Sequence, residues 1–287
     1  MKVSDILSRP GRQMSFEVFP PKTDATLESV KKATEAVAAL QPAFVSVTYG
    51  AGGGTRAYTL DIAENMLKKY GTSVVTHLTC VASDREFVRE RIAAMRRAGL
   101  ENVMALRGDV PPALKDADRS RWDYRYAAEL VRDLKAAGGF CIGGACYPEV
   151  HPESPDPETD LRHLKEKVNE GCDFLTTQMV FDNEIFLRFL DRARDAGIEV
   201  PILPGIMPIT AAVQVKRAVE LSGSYVPAPM LQAAERYAEA PEDMKKFGLD
   251  FAAEQIGKLY EAGVRTIHVY TMNKADVAAE LQKRTLG

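Results

Sequence analysis

Polar residues that could do chemistry stand inside or just after short apolar segments of this sequence. Glu17 lies within the apolar segment 15–19, where a carboxylate costs free energy unless it is paired or used. Arg107 lies near the end of another such segment, and Asp109 follows it. Carboxylates transfer protons and guanidinium groups bind anions, so these residues are candidates for an active site. A purely structural ion pair would use the same residue types.

Further polar residues hold similar positions in the other apolar segments. They are Thr48, Tyr49, His77, Thr79, Tyr147, Glu149, His151, Thr177, Gln178, Tyr270, Asn273 and Lys274. Individually they have ordinary structural alternatives, since His77 could be a hydrogen-bonded core residue and Gln178 could satisfy backbone groups. Their shared placement favours one common site.

The apolar segments are predicted to be strands, because they are short, β-branched or aromatic, and alternate with stretches of helical periodicity. They cover residues 15–19, 44–49, 73–80, 102–108, 140–147, 174–181, 201–208 and 266–272. Strand–helix repeats indicate a parallel sheet with helical crossovers, and eight of them predict a closed (β/α)8 TIM barrel. An open doubly wound sheet is the alternative. In a barrel the active site lies at the C-terminal ends of the strands.

The predicted helix over 84–98 illustrates the crossovers. Its apolar face consists of Val88, Ile92 and Met95. Ser83 and Glu86 have the spacing of a capping box at its start, and Gly99 is placed to end it in a left-handed conformation. The seventh repeat is longer than the others and contains extra helices, predicted over 209–222, 227–238 and 241–262. Without a linker, residues 1–287 are predicted to form one domain.

Composition excludes several classes of protein. The net charge of −3 and the 46% of hydrophobic residues are typical of a globular protein, and the dispersed charges argue against nucleic acid as a partner. The sequence contains neither an apolar run long enough for a membrane span nor the apolar core of a signal peptide. Cysteines at 80, 141, 146 and 172 lack disulfide or zinc spacing, which favours reduced thiols in a cytoplasmic protein.

Common nucleotide and catalytic motifs are missing. Residues 49–56 have Thr55 where the G-x-G-x-x-G fingerprint needs its third glycine. P-loop, G-x-S-x-G and H-E-x-x-H motifs do not occur, and the dispersed histidines predict no metal site. Lys22 and Lys274 are the candidates for a Schiff base, but both lie beyond their predicted strands.

Eight motifs together identify a family resemblance. They are FEVFPPK, FVSVTYGAGG, THLTC, ALRGD-x-PP, YPEVHPE, TTQ-x-x-FD, PGIMPI and YTMN-K. In order and spacing they resemble the bacterial methylenetetrahydrofolate reductases over residues 14–285. The resemblance implies a (β/α)8 barrel that holds FAD without a Rossmann motif, in agreement with the missing glycine fingerprint.

The resemblance also implies a reaction in one-carbon metabolism and methionine biosynthesis. NADH or NADPH reduces FAD, and the flavin passes hydride to 5,10-methylenetetrahydrofolate to give 5-methyltetrahydrofolate. The two substrates take turns on one flavin face in a ping-pong scheme. A cytoplasmic homo-oligomer is expected. Because the resemblance covers the catalytic domain alone, inhibition by S-adenosylmethionine is not expected.

Three residues receive catalytic or shared roles from the resemblance. Glu17 would protonate N10 of the folate and open its five-membered ring to an iminium ion, with apolar neighbours keeping the carboxyl protonated. Asp109 would hydrogen-bond the pterin, stabilise that cation and lower the reduction potential of the flavin. Gln178 would contact the folate and the nicotinamide in turn.

The remaining matched residues are expected binding contacts. For FAD they are Thr48, Tyr49, Ala51, His77, Arg107, Gly108, Asp109, Ala127, Tyr147, His151, Asp160, His163 and Lys167, and for folate they are Asp109, Gln178, Gln214, Tyr270 and Lys274. Lys274 stands where arginine is usual and lacks its bidentate fork. His163 and Glu166 also depart from the family pattern, on the AMP side of the FAD site.

Two other functions remain open from the sequence. One is a barrel enzyme of another class, such as a flavin-free lyase or a folate-dependent methyltransferase. The other is a flavin- or pterin-binding subunit that receives electrons from a partner protein. The choice between NADH and NADPH is not determined, since the Rossmann strand that would carry the deciding acidic residue is missing.

Overall fold

Eight parallel strands close into a barrel in chain order, in a computed structural model that describes residues 1–21, 23–49, 56–111, 114 and 116–287. Each strand pairs with the next, and β8 pairs with β1. The strands are β1 (Gln13–Val18), β2 (Val45–Val47), β3 (Val74–Thr79), β4 (Asn102–Leu106), β5 (Cys141–Cys146), β6 (Phe174–Met179), β7 (Ile202–Ile206) and β8 (Thr266–Tyr270). The predicted (β/α)8 barrel is confirmed, and the open sheet is excluded.

Helices lie between the strands and outside the barrel. In the described residues they are α1 (Val3–Leu7), α2 (Leu27–Ala38), α3 (Arg56–Tyr70), α4 (Arg85–Arg97), α5 (Ala127–Ala137), α6 (Pro157–Asn169), α7 (Asn183–Asp195), α8 (Val213–Ser222), α9 (Ala228–Arg236), α10 (Pro241–Glu261) and α11 (Ala275–Leu286). None of these helices is long and apolar enough to cross a membrane.

The first helix, which the sequence analysis did not predict, closes the N-terminal end of the barrel. Val3, Ile6 and Leu7 of α1 pack with inward-facing residues such as Phe44 and Phe174. The backbone N–H of Val3 donates to Oδ1 of Asn102 at the start of β4, over 2.8 Å. The opposite end, where the strands finish, is therefore the open end.

The helix α4 begins one residue later than predicted. Asp84 is its N-cap, and its carboxylate accepts the backbone N–H of Phe87 over 2.7 Å. The predicted cap at Ser83 is wrong, because the Ser83 backbone belongs to the turn after β3 and donates to the Cys80 carbonyl. The apolar face is confirmed as buried, and Gly99 has the expected positive φ of 73°.

The extra helices of the seventh repeat are confirmed as α8, α9 and α10. They enclose a separate apolar cluster that includes Ile209, Met230 and Met244. Gly248 on α10 lies against the backbone after β7, where an added Cβ would come within 1.7 Å of the Ile209 carbonyl oxygen. Only glycine permits this close approach, so the sequence fixes how α10 meets the barrel.

Candidate active site

A cavity of about 410 Å³ opens at the C-terminal ends of the strands, within the usual range for small-molecule sites. Thirteen of the expected catalytic and binding contacts line it: Glu17, Thr48, Tyr49, His77, Arg107, Gly108, Asp109, Ala127, Tyr147, His151, Lys167, Gln178 and Tyr270. The strand-end candidates Thr79 and Thr177 also line it. The barrel brings these residues together from positions 17 to 270 because parallel strands all end at one edge.

Four other expected contacts that the structure describes, Asp160, His163, Gln214 and Lys274, do not line the cavity. Asp160 lies beside it and accepts the backbone N–H of His151 over 3.2 Å. His163 is exposed on α6. Gln214 uses its carbonyl oxygen to accept the backbone N–H of Thr210, whose hydroxyl accepts from Lys274 over 2.7 Å. Ala51 and Lys22 lie outside the described residues.

Glu17, His77 and His268 line one part of the cavity and, together with Ser46, which contacts Glu17 and His268, are here called the acid wall. The Glu17 carboxylate oxygen Oε2 lies 3.4 Å from Ser46 Oγ, 3.6 Å from His77 Nε2 and 3.8 Å from His268 Nε2. The Glu17 side chain is 21% exposed, while the two imidazoles are 8% and 1% exposed. A carboxyl with two buried imidazoles and a hydroxyl is suited to holding and passing a proton.

The apolar neighbours of Glu17 in sequence are not its neighbours in space. Phe16 and Val18 face outwards into the main core between the strands and the helices. Alternate residues of a strand point to opposite faces, so Glu17 points away from these two residues, and they are not placed to keep its carboxyl protonated. Residues of β2, β3 and β8 form its surroundings instead.

Sequence reasoning missed two members of the acid wall, Ser46 and His268. Both stand two residues before a predicted site residue, Thr48 and Tyr270 respectively. The two-residue period of strands gave a signal that could have found them, since residues i and i+2 share a face. Their pairing with Glu17 depends on strand register, which places β1 between β2 and β8.

Burial keeps His77 neutral. Loss of hydration lowers the pKa of His77 below its usual range, a shift opposed by the negative charge of Glu17 and reinforced by His268. The ring nitrogen Nε2 is buried without a hydrogen-bond partner in the described part of the chain, as is Thr176 Oγ1 deeper in the cavity. Buried polar atoms are usually satisfied, so these two are placed to receive a bound molecule or water.

The residues after β8 hold the Glu17 segment in place. The Thr271 hydroxyl donates to the Glu17 carbonyl over 2.6 Å. The Asn273 amide bonds both backbone groups of Phe19, over 2.9 and 3.0 Å. Asn273 and Met272 have positive φ values of 58° and 52°, which is strained for residues other than glycine. The strain is maintained because the hydrogen bonds of Thr271 and Asn273 hold this backbone in place beside Glu17.

Arg107, His151 and Lys167 line another part of the cavity and, together with Glu153, which contacts Arg107 and His151, are here called the cation wall. The Arg107 guanidinium pairs with the Glu153 carboxylate, so Arg107 does not form the ion pair with Asp109 considered above. Asp109 is exposed at the rim of the cavity. The Lys167 ammonium donates to the Ala145 carbonyl. This wall presents positive groups on the same cavity that the acid wall lines.

His151 is a neutral donor on the cation wall. Burial lowers the pKa of His151, and the nearby Arg107 charge adds to the shift while Asp160 opposes it. The Nδ1 atom accepts the backbone N–H of Glu153 over 3.0 Å, which assigns the ring proton to Nε2. The imidazole therefore offers an N–H donor from its other edge. In the described part of the chain no cluster of three or more metal-ligating side chains occurs.

The backbone also shapes the mouth of the cavity. Gly108 has φ of +84°, and a Cβ there would lie 2.9 Å from Thr79 Cβ. Ala127 is the first residue of α5, so the N-terminal end of this helix borders the cavity. Helix N-termini favour anions, which adds to the positive character beside the cation wall.

Comparison with known proteins gives one consistent family. A model of methylenetetrahydrofolate reductase matches residues 2–285. The 5,10-methylenetetrahydrofolate reductases of Pectobacterium carotovorum and Escherichia coli are 37% and 36% identical, over 92% of this chain and 87% and 88% of theirs. Methylenetetrahydrofolate reductase (NADH) 1 of Arabidopsis thaliana is 33% identical over 95% of this chain, which spans 48% of the plant protein.

Among solved structures, an uncharacterized Clostridium thermocellum protein that binds two copies of 5-methyl-5,6,7,8-tetrahydrofolic acid superposes with a TM-score of 0.69. It covers 99% of this chain at 15% identity, a likeness that concerns the fold alone. The family match extends along the chain and includes the strand ends that carry both walls. The chain belongs to the methylenetetrahydrofolate reductase family, the oxidoreductases of one-carbon folate metabolism.

Proposed function

We propose that the chain reduces 5,10-methylenetetrahydrofolate to 5-methyltetrahydrofolate, with FAD as cofactor and NADH or NADPH as electron donor. The observation that carries this proposal is that one cavity joins the Glu17 carboxyl, which lies within 4 Å of two buried imidazoles, to a wall of positive and neutral donors. The clostridial protein of the same fold binds 5-methyl-5,6,7,8-tetrahydrofolic acid, which supports a reduced folate as the ligand.

The residues of the cation wall fit FAD. The Arg107 guanidinium and the N-terminal end of α5 suit its pyrophosphate, while Lys167 and the Nε2–H of His151 suit the carbonyl oxygens of the flavin ring. The buried Nε2 of His77 has no hydrogen-bond partner among the described residues, so it could make a further polar contact with a bound molecule. When bound, FAD would accept hydride from the nicotinamide and deliver it to the folate.

Glu17 is the proposed proton donor. It would protonate N10 of the folate, so that the five-membered ring opens and the carbon to be reduced becomes electrophilic. His77 remains neutral because of its burial, so the proton for this step comes from the carboxyl and not from the imidazole. Ser46 and His268 orient the carboxyl through the contacts of the acid wall.

Three further residues are the remaining proposed substrate contacts. Asp109 is exposed at the rim of the cavity and would hydrogen-bond the pterin and favour the cationic form of the folate. Gln178 would contact folate and nicotinamide in turn. Lys274 would leave its hydrogen bond with Thr210 to meet the glutamate tail.

Spectroscopy tests the proposal directly. The purified protein should show a flavin spectrum, and the FAD should be released on denaturation. Anaerobic mixing with NADH or NADPH should bleach the flavin, and 5,10-methylenetetrahydrofolate should then restore its absorbance. A colourless protein that cannot be reconstituted with FAD would contradict the proposal.

A different pattern would favour an electron-transfer partner protein. In that case neither nicotinamide bleaches the flavin, yet chemically reduced enzyme still reduces the folate. Analytical ultracentrifugation of the same preparation measures its molecular mass and so tests the predicted homo-oligomer.

A further inference from the structure

The ladder between β6 and β7 is irregular beside Gln178. The paired residues are Thr176 with Leu203 and then Met179 with Gly205, with a register shift between them. Two residues of β6, Thr177 and Gln178, therefore face Pro204 alone. Proline has no N–H to donate to a ladder, so strands accommodate it at bulges. The bulge is set by the sequence of β7.

Three hydrogen bonds hold this bulge. The Gly205 backbone N–H donates to Thr177 Oγ1 over 2.9 Å, so a side-chain hydroxyl replaces the carbonyl of a regular ladder. The same hydroxyl donates to the Gln178 carbonyl over 2.7 Å. The Thr177 carbonyl accepts the phenol O–H of Tyr270 over 2.6 Å.

The Tyr270 side chain passes over β7 at Gly205 and so reaches the Thr177 carbonyl on β6. A Cβ on Gly205 would lie 2.6 Å from the Thr177 carbonyl oxygen, and 2.6 and 2.7 Å from the Tyr270 ring and hydroxyl. Two of these contacts come from atoms that cannot easily move, a backbone oxygen and an enclosed aromatic ring. Gly205 is needed here for space, since its φ is not in the left-handed region.

We infer that Thr177, Gly205 and Tyr270 form a bulge clasp, a set of positioning residues that fixes the Gln178 amide in the cavity. The Tyr270 hydroxyl then acts on the protein backbone and not on the folate, in contrast to the direct contact expected from sequence. The inference rests on the proposed function, because the ligands of Gln178 are proposed there.

The Gln178 side chain shows what the clasp controls. Its Oε1 accepts the N–H of Met179 over 2.9 Å, which assigns the NH₂ group to the other end of the amide. Because Gln178 is the second residue of the bulge, its side chain follows any change in the backbone at Thr177. A small shift of the bulge would therefore move a donor that the substrates need.

The test combines Tyr270→Phe with Gln178→Ala. Tyr270→Phe removes the hydroxyl and keeps the ring, and should raise KM for the folate about three- to tenfold, the range for one lost hydrogen bond. In the Gln178→Ala background the same change should add nothing, because the group that the clasp positions is gone. Equal effects in both backgrounds would overturn the inference, since the hydroxyl would then act on the substrate itself.

Thr177 gives matched controls. Thr177→Ser keeps the hydroxyl and should retain the wild-type KM, while Thr177→Val should resemble Tyr270→Phe. If Thr177→Val and Tyr270→Phe lower only the melting temperature and leave KM unchanged, the clasp has a structural role alone and the inference fails.

A measurement without turnover separates this inference from the proposed function. Amide hydrogen exchange of residues 176–180 should be faster in Tyr270→Phe than in the wild type, whether or not the protein reduces a folate. Unchanged exchange would contradict the clasp. Wild-type protein without folate reduction would contradict the proposed function and leave the exchange result standing.

Discussion

The two walls of the cavity hold their polar groups in opposite ways. In the acid wall, Glu17 contacts two imidazoles that are at most 8% exposed. In the cation wall, Arg107 is paired with Glu153, whose side chain is 52% exposed. A buried and fixed group suits proton transfer, whereas a half-exposed ion pair can exchange its carboxylate for an incoming anion. Under the proposed function, the acid wall carries the chemistry and the cation wall binds the cofactor.

Glu17→Gln should have the largest effect of these substitutions, and it should impair only the step that depends on the acid wall, the reduction of the folate. Losing a general acid slows a reaction by about 10²- to 10⁴-fold, so folate reduction should fall by that factor while flavin reduction by nicotinamide persists. Stopped-flow measurement of each half-reaction checks this. Glu149→Gln is the control, because Glu149 accepts the Tyr225 backbone N–H outside the cavity. Equal loss of both half-reactions would remove the acid role.

Arg107→Ala should weaken FAD binding without affecting the acid wall. Loss of one charge-assisted hydrogen bond should raise the Kd for FAD about 10- to 100-fold. Titration of the apoprotein with FAD measures this. Arg119→Ala is the matched control, since Arg119 also meets Glu153, over 3.5 Å, but does not line the cavity. Equal affinities in the two variants would mean that the cation wall does not bind the cofactor.

His77 should make the folded protein sensitive to acid. Its pKa is lowered from 6.5 on folding, so the unfolded chain takes up a proton that the folded chain resists. The free energy of unfolding should therefore decrease as the pH falls through about 6.5, and His77→Gln should flatten this dependence. Urea unfolding at several pH values measures it. His163→Gln, at an exposed histidine, should keep the wild-type slope; a slope unchanged by His77→Gln would contradict the prediction.

Lys274→Arg should have the smallest effect, because the Lys274 side chain is exposed. Arginine would restore a bidentate fork for a carboxylate, and exposed ion pairs contribute little, so KM for folates with glutamate tails should fall about two- to fivefold. Lys216→Arg, at an exposed position on α8, controls for a change of surface cation. Equal KM values for Lys274→Arg and Lys216→Arg would mean that residue 274 does not contact the glutamate tail.

The barrel could be predicted because its signals are local. Strand periodicity, the apolar face at Val88, Ile92 and Met95, and the glycines after the helices each act within a few residues. Strand-end placement and the family resemblance together predicted thirteen residues that line the cavity, since strand ends of a parallel barrel meet at one edge. It misplaced the α4 cap, where Ser83 and Asp84 both had the right chemistry and only the backbone of the turn decided between them.

Contacts between distant residues could not be predicted in the same way. Glu153 pairs with Arg107 across 46 positions, and Glu17 meets His268 only because β8 closes the barrel against β1. The bulge at Thr177 was encoded by Pro204 and Gly205, but its consequence for Tyr270 depends on three strands lying side by side.

The sequence by itself determined the strands, the crossovers, the strand-end residues and the family, because periodicity and motif order are properties of a linear chain. Only the tertiary structure decided what surrounds each of those residues. Phe16 and Val18 adjoin Glu17 in sequence yet face the other side of its strand. Two imidazoles from β3 and β8 meet its carboxyl instead, since barrel closure and register bring them within 4 Å.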